Sequence, residues 1–157
     1  VLSTANDQKV NSRWVVFRKF SEGETFLIYT DARSEKVKEL TQNANCSLLF
    51  YHDRKKLQLS VEGNVSIHHQ NELTKKYWPG VKGANDKSYT TKLAPGTTVS
   101  SPQEGHQWDS NLDDTHFIIL EIHPIKMEVL QLNLDEHIRA QYLLSNETVQ
   151  QSSFLVP

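Results

Sequence analysis

The sequence predicts a mainly β fold, an antiparallel barrel carrying a few short helices. Three observations lead there. From 57 to 67, apolar residues fall at every second position (Leu57, Leu59, Val61, Val65, Ile67). Gly63 completes that row, and Gln58, Ser60, Glu62, Asn64 and Ser66 take the other face, which is the period of a half-buried strand. Short runs of strand-forming residues are separated by turn chemistry. Only two stretches carry helix signals, and both are short. Many strands with few helices bury their apolar faces by curling into a closed, or nearly closed, barrel.

In chain order, residues 1–5 form a short apolar run, and Asn6-Asp7-Gln8-Lys9 turns into an opening strand over about 12–20. Ser21-Glu22-Gly23-Glu24 reads as a hairpin turn and 25–30 as the returning strand. Ser34 is the expected N-cap of a helix over roughly 35–43, with Val37 and Leu40 on its inner face and Asn43 as its stop. A strand over 46–52 and a turn at Asp53-Arg54-Lys55-Lys56 precede the long alternating strand, where Gly63 predicts a bulge or bend. A helix over 70–78 is stopped by Pro79-Gly80. The segment 81–114 is a long Gly/Pro/Ser/Thr-rich loop, of the kind that is functional or mobile. Strands resume at 116–123 and 126–132, with further strand expected around Tyr142 and at 154–156.

A chain of 157 residues makes one domain with a real core. Seventeen basic against nineteen acidic side chains leave a net charge of -2, so no global field draws nucleic acid and any anion site must be local. The single cysteine, Cys46, sits in an apolar run. It excludes an intrachain disulfide and reads as a buried, inert thiol. No run approaches the ~20 apolar residues of a membrane-spanning helix. The chain opens at Val1 inside what reads as a strand, so an upstream segment is expected, and the cytoplasm is the default location.

The run N-S-R-W-V-V-F-R places Arg13 and Arg18 at the two ends of a strand-like stretch, with Cα atoms roughly 17 Å apart at ~3.3 Å per residue. That is the reach of an outstretched mononucleotide, and between them Trp14 to Phe17 offer backbone donors and acceptors. The stretch Y-T-D-A-R-S-E-K adds a helix start with the Ser34 hydroxyl and the Lys36 ammonium beside it, a second anchor for an anion. The plainer reading is a strand flanked by solvated arginines and an ordinary capped helix, which the residue pattern by itself favours.

These two stretches, with L-L-F-Y, L-Q-L-S-V-E-G and H-I-R, follow in the order and spacing of the pyridoxamine phosphate oxidase family, the FMN-binding split barrels, which the chain resembles. The resemblance runs over 1–77, resumes at 116–139 and ends with 155–157. It implies an antiparallel split barrel and an FMN cofactor between the two subunits of a homodimer. Arg13 then matches the arginine that grips the flavin phosphate. Trp14, Val15 and Val16 lie where backbone meets the flavin, and Arg18 stands for a lysine near ring and substrate. Tyr29 and Thr30 follow the ribityl and phosphate path, and Ser34 and Lys36 match phosphate ligands. Arg33 replaces, from one position earlier, the basic residue the family has where Glu35 stands. Gln58 and Arg139 match further cofactor contacts, whereas a tryptophan that often stacks on the flavin falls at Leu130.

Tyr77 and His137 match substrate contacts of the true oxidases and, with Arg18, are the candidates for a catalytic role. Val81, Asn85 and Asp135 replace an arginine, a serine and a second arginine there, so pyridoxamine phosphate is not the expected substrate. The resemblance thus implies an FMN-dependent oxidoreductase of unknown substrate. The alternatives are a flavin carrier or sensor without turnover, and a flavin-free barrel serving protein interaction. No metal site is expected: His68 and His69 point to opposite faces of a strand, and the other histidines lack ligand spacing. Trp78 and Trp108 read as packing or loop anchors, with Trp108 placed to lid a flavin.

Overall fold

The computed structural model describes residues 1–6, 9–21, 24–83, 86–108, 113–133 and 135–157. Asp7 and Gln8 of the first expected turn, Glu22 and Gly23 of the hairpin turn, and Asn85 lie outside these residues. Among the described residues, nine strands form one antiparallel sheet: β1 (Leu2–Asn6), β2 (Lys9–Arg13), β3 (Phe17–Phe20), β4 (Phe26–Asp31), β5 (Asn45–His52), β6 (Leu57–His69), β7 (Phe117–Gln131), β8 (Ile138–Ser145) and β9 (Thr148–Leu155). Helix α1 (Glu35–Gln42) follows β4, α2 (Glu72–Tyr77) follows β6, and α3 (Pro102–Gly105) lies in the long connection to β7.

The strand expected over 12–20 is two strands. The sheet order is β2-β1-β5-β6-β7-β4-β3, so β2 and β3 are its opposite ends, yet only residues 14–16 separate them in the chain. The sheet therefore curls until its ends nearly meet, but β2 and β3 do not pair and the barrel stays open at that seam.

The expected bend at Gly63 is present. Glu62 pairs with Lys126 and Gly63 with Pro124, which leaves Ile125 as the extra residue of a bulge on β7. A Cβ on Gly63 would lie 2.5 Å from the His123 carbonyl oxygen, so only glycine lets the two backbones approach this closely. The two strands expected on either side of Pro124 are one strand of 15 residues. Along one edge of β7, residues 117–122 pair with β4 and residues 126–131 with β8. The bulge marks that handover, and Pro124, which has no N–H to donate, falls in the gap between the two partners.

Burial follows the alternation. Leu2, Ile28, Leu48, Val61, Ile118, Leu120 and Ile122 form the interior core, which Val37 and Leu40 of α1 cover from one end. On the opposite face of β4 and β7, Leu27, Phe117 and Ile119 pack under Val81, Tyr89, Leu73 and Trp78. The start of β7 is thus buried on both faces, which explains its apolar run from Phe117 to Leu120. Much of the first part of the connection 81–114 is packed structure, with Val81, Asp86, Tyr89 and Thr90 all buried. Helix α2 starts within the expected 70–78 stretch, capped by a reciprocal pair of bonds between Asn71 and Thr74. It runs into a 3-10 turn at Trp78–Gly80.

Candidate functional site

Two polar side chains meet where β4 runs into α1. Ser34 is the N-cap of α1, as expected, but its hydroxyl makes no capping bond to the helix. It lies 3.5 Å from the Thr30 hydroxyl, and both residues are buried. Lys36 donates to the same Thr30 hydroxyl at 3.0 Å and, among the described residues, has no carboxylate within ion-pair distance. Burial lowers the pKa of its ammonium below 10.5, and the nearby Arg13 lowers it further, against the pull of Asp31 and Glu39.

Arg13, at the end of β2, faces the interior, because its cross-strand partner Leu2 is core. Its Nη2 donates to Glu39 at 2.9 Å and its Nη1 to the Thr4 hydroxyl. Directly after it, residues 14–16 belong to no strand and make no backbone hydrogen bond to another described residue. Of these, Trp14 and Val15 border a cavity of about 520 Å³ that Phe17, Ile28, Leu48 and Phe50 also line. Ile28 and Thr30 share a face of β4, and two residues of strand separate them by ~7 Å. The apolar slot therefore lies about one strand repeat from a corner that holds two cations, two hydroxyls and a helix N-terminus. This arrangement suits an elongated ligand with a flat apolar body and an anionic tail.

The other candidates lie elsewhere. Tyr29 points to the opposite face of β4 from Thr30. Its ring stands 6.0 Å from Tyr77 and 5.2 Å from Phe117, and burial with Tyr77 beside it pushes its phenol up to about 12. Arg18 sits over Tyr29 at 5.9 Å, and Lys19 over Tyr77 at 5.5 Å. Val81 is buried in the same cluster. Arg33 donates to both oxygens of buried Asp31 and to the carbonyls of Thr91 and Lys92. Its charge is thus engaged with Asp31, and its bonds pin the long connection to the β4–α1 corner.

Gln58, Leu130 and Arg139 are direct cross-strand neighbours, on the face opposite Val61 and hence opposite Arg13. Arg139 is held by Glu128 at 2.8 Å. His137 and Asp135 are exposed. Trp108 stacks on His106, lies under Lys87 and donates to the Lys87 carbonyl, an anchor within its own segment. Cys46 is buried, which pushes its thiol up to about 12. Among the described residues, no three metal-ligating side chains converge. The residues that sequence reasoning missed are Glu39 and Thr4. Their one sequence signal is that Glu39 stands between Val37 and Leu40, on the side of α1 that packs inward.

Comparison with known proteins supplies the context. The sequence profile described as pyridoxamine 5'-phosphate oxidase matches residues 1–99. The chain is 31% identical over 102 residues to the chloroplastic pyridoxine/pyridoxamine 5'-phosphate oxidase 1 of Arabidopsis thaliana, a match covering 62% of this chain and 19% of that protein. It is 28% identical over 93 residues to the pyridoxine/pyridoxamine 5'-phosphate oxidase of Ehrlichia chaffeensis, covering 59% of this chain and 46% of that protein. The chain therefore spans less than half the length of either relative.

Among solved structures, a pyridoxamine 5'-phosphate oxidase-related, FMN binding protein of Nostoc punctiforme superposes with a TM-score of 0.80 at 18% identity, over 99% of this chain and 86% of the other. PhzG of Burkholderia lata, in complex with tetrahydrophenazine-1-carboxylic acid, does so with a TM-score of 0.80 at 19% identity, over 99% and 80%. These likenesses establish the split-barrel fold, and the profile match over residues 1–99 makes the chain a member of the pyridoxamine 5'-phosphate oxidase family.

Proposed function

We propose that this chain binds FMN and serves as an oxidoreductase acting at the flavin, on a small substrate other than pyridoxamine phosphate. The observation that carries this reading is Lys36, a half-buried ammonium bonded to the Thr30 hydroxyl, with Arg13 beside it and no carboxylate paired to it among the described residues. A desolvated cation without a counter-ion costs stability unless an anion completes it, and a terminal phosphate supplies that anion with the right geometry. Arg13, Thr30, Ser34 and Lys36 would hold the phosphate, and the slot at Trp14 and Val15, with Val16 next to it in the chain, would take the apolar ring. FMN supplies hydride or electron transfer, while the protein fixes its position and surroundings.

Homodimerisation belongs to the same proposal. Gln58 and Arg139 share a face that a single chain turns away from Arg13, so they reach a flavin at this corner only from a second copy. Exposed Trp14, Val16, Tyr51 and Phe154 provide apolar surface for such an interface. A substrate phosphate has little to hold it. Val81 is buried among aromatic rings, and Asp135 brings negative charge. A cytoplasmic location remains part of the proposal.

An absorption spectrum of the purified protein, before and after adding FMN, tests the reading. Bound flavin with its two visible bands is expected. Protein that stays colourless and leaves FMN fluorescence unquenched rules it out and favours the flavin-free barrel.

A further inference from the structure

Glu39 is a buried carboxylate with three donors on it. It is 2% exposed and accepts hydrogen bonds from the Thr4 hydroxyl, the Asn11 amide and Arg13 Nη2. Thr4, 1% exposed, passes one of these bonds on, because Arg13 Nη1 donates to the hydroxyl that donates to Glu39. Burial pushes the Glu39 carboxyl up, but the bonds from Thr4, Asn11 and Arg13 outweigh it and hold the group below its ordinary value. It is therefore a full negative charge, locked in place.

This arrangement uses one edge of the guanidinium. A guanidinium carries five N–H donors in a rigid fork, and only one on Nη1 and one on Nη2 have partners among the described residues. The donors left over project from a side chain that is 23% exposed. Without Glu39, the arginine side chain would keep only its Thr4 bond at the barrel seam, where β2 is paired on one side alone. With Glu39, its orientation is tied to α1, and α1 also carries Lys36 three residues earlier. Both cations of the anion corner thus hang on one helix, Lys36 by its own backbone and Arg13 through Glu39.

We propose that Glu39, with Thr4 as its relay, is the positioning residue that aims Arg13 at the cofactor's phosphate and so makes the site prefer a phosphorylated flavin over the unphosphorylated one. This rests on the FMN reading above. It goes beyond that reading by assigning the phosphate preference to a residue that touches no ligand.

The test uses two probes, FMN and riboflavin, titrated against the unaltered protein, Glu39→Gln and Thr4→Val, with thermal melting as the folding control. A merely structural Glu39 would affect both flavins alike. A positioning role lowers only the affinity for FMN. Glu39→Gln is expected to cut FMN affinity about tenfold, the equivalent of one charge-assisted hydrogen bond, and to leave riboflavin binding unchanged. Thr4→Val is expected to act in the same direction by about threefold, since it removes the relay hydroxyl but leaves the direct Arg13–Glu39 bond in place. Equal losses for both flavins, or an FMN-to-riboflavin preference that stays level or rises in a cooperatively melting variant, overturns the inference. If Glu39→Gln does not fold, Thr4→Val decides by the same criterion. Failure of the unaltered protein to bind FMN sinks the parent reading instead, and the two failures are read in separate titrations.

Discussion

Lys36 donates its ammonium hydrogen to the hydroxyl of Thr30, 3.0 Å away, at a corner of the barrel where another cation, Arg13, acts on it against the pull of Asp31 and Glu39. A half-buried cation in such company is stabilised by whatever anion joins it. Replacing Lys36 with Met keeps the stem and removes the charge. FMN affinity should fall by about 2 kcal/mol, the worth of one charged hydrogen bond, or roughly thirtyfold. Isothermal titration would measure it, and a loss below threefold would place the phosphate away from Lys36.

The same lysine sets an alkaline limit. Burial first, then Arg13, lowers its pKa in the free protein from 10.5. The charged form is thus disfavoured in the fold. The group costs stability below its folded value, and that cost disappears as pH rises towards 10.5. Binding a phosphate reverses the preference and requires the proton. FMN affinity should therefore decline as pH rises, starting before an ordinary lysine would titrate. Lys36→Met should flatten that decline, and an unchanged profile in the variant would assign it to another group.

Gly63 and His123 bring their backbones into contact at the β6–β7 bulge, where an added methyl group would meet a carbonyl oxygen at 2.5 Å. The obstacle is backbone, so no side chain can rotate out of the way. Gly63→Ala should destabilise the fold by about 2 kcal/mol, lowering the melting temperature by roughly 4–8 °C for a chain of this size. Calorimetry of the variant checks it, and a neutral result would mean that the strands separate at the bulge.

Arg33 is salt-bridged to buried Asp31 at 2.7 Å and bonded to two carbonyls of the long connection. Arg33→Ala strands a buried carboxylate, so it should cost about 3 kcal/mol of stability and expose the amides around Thr91 to hydrogen exchange. FMN affinity should move much less than in Lys36→Met. A larger flavin effect at Arg33 than at Lys36 would reverse the roles assigned to the two residues.

Sequence periodicity determined β4, β5, β6 and the helices α1 and α2, because alternation in a strand and the i, i+3 spacing of Val37 and Leu40 are imposed by local backbone geometry; α3 and most of β9 left no such pattern. It also marked the Gly63 bulge, since a glycine that takes an apolar position in an alternating row signals a bend or a close backbone approach. Local pattern could not decide where the opening run breaks. The break at 14–16 exists because β2 and β3 belong to opposite ends of the sheet, a fact of pairing over long sequence distances. The same holds at the site. Arg13, Ser34 and Lys36 were legible as charge near a strand and a helix start. The union of Arg13 with Glu39, the diversion of Arg33 to Asp31 and the separation of Gln58 and Arg139 onto the far face were decided only when the sheet curled. Which cation keeps a free edge for a ligand depends on its neighbours in space, and residues 13 and 39 become neighbours only through folding.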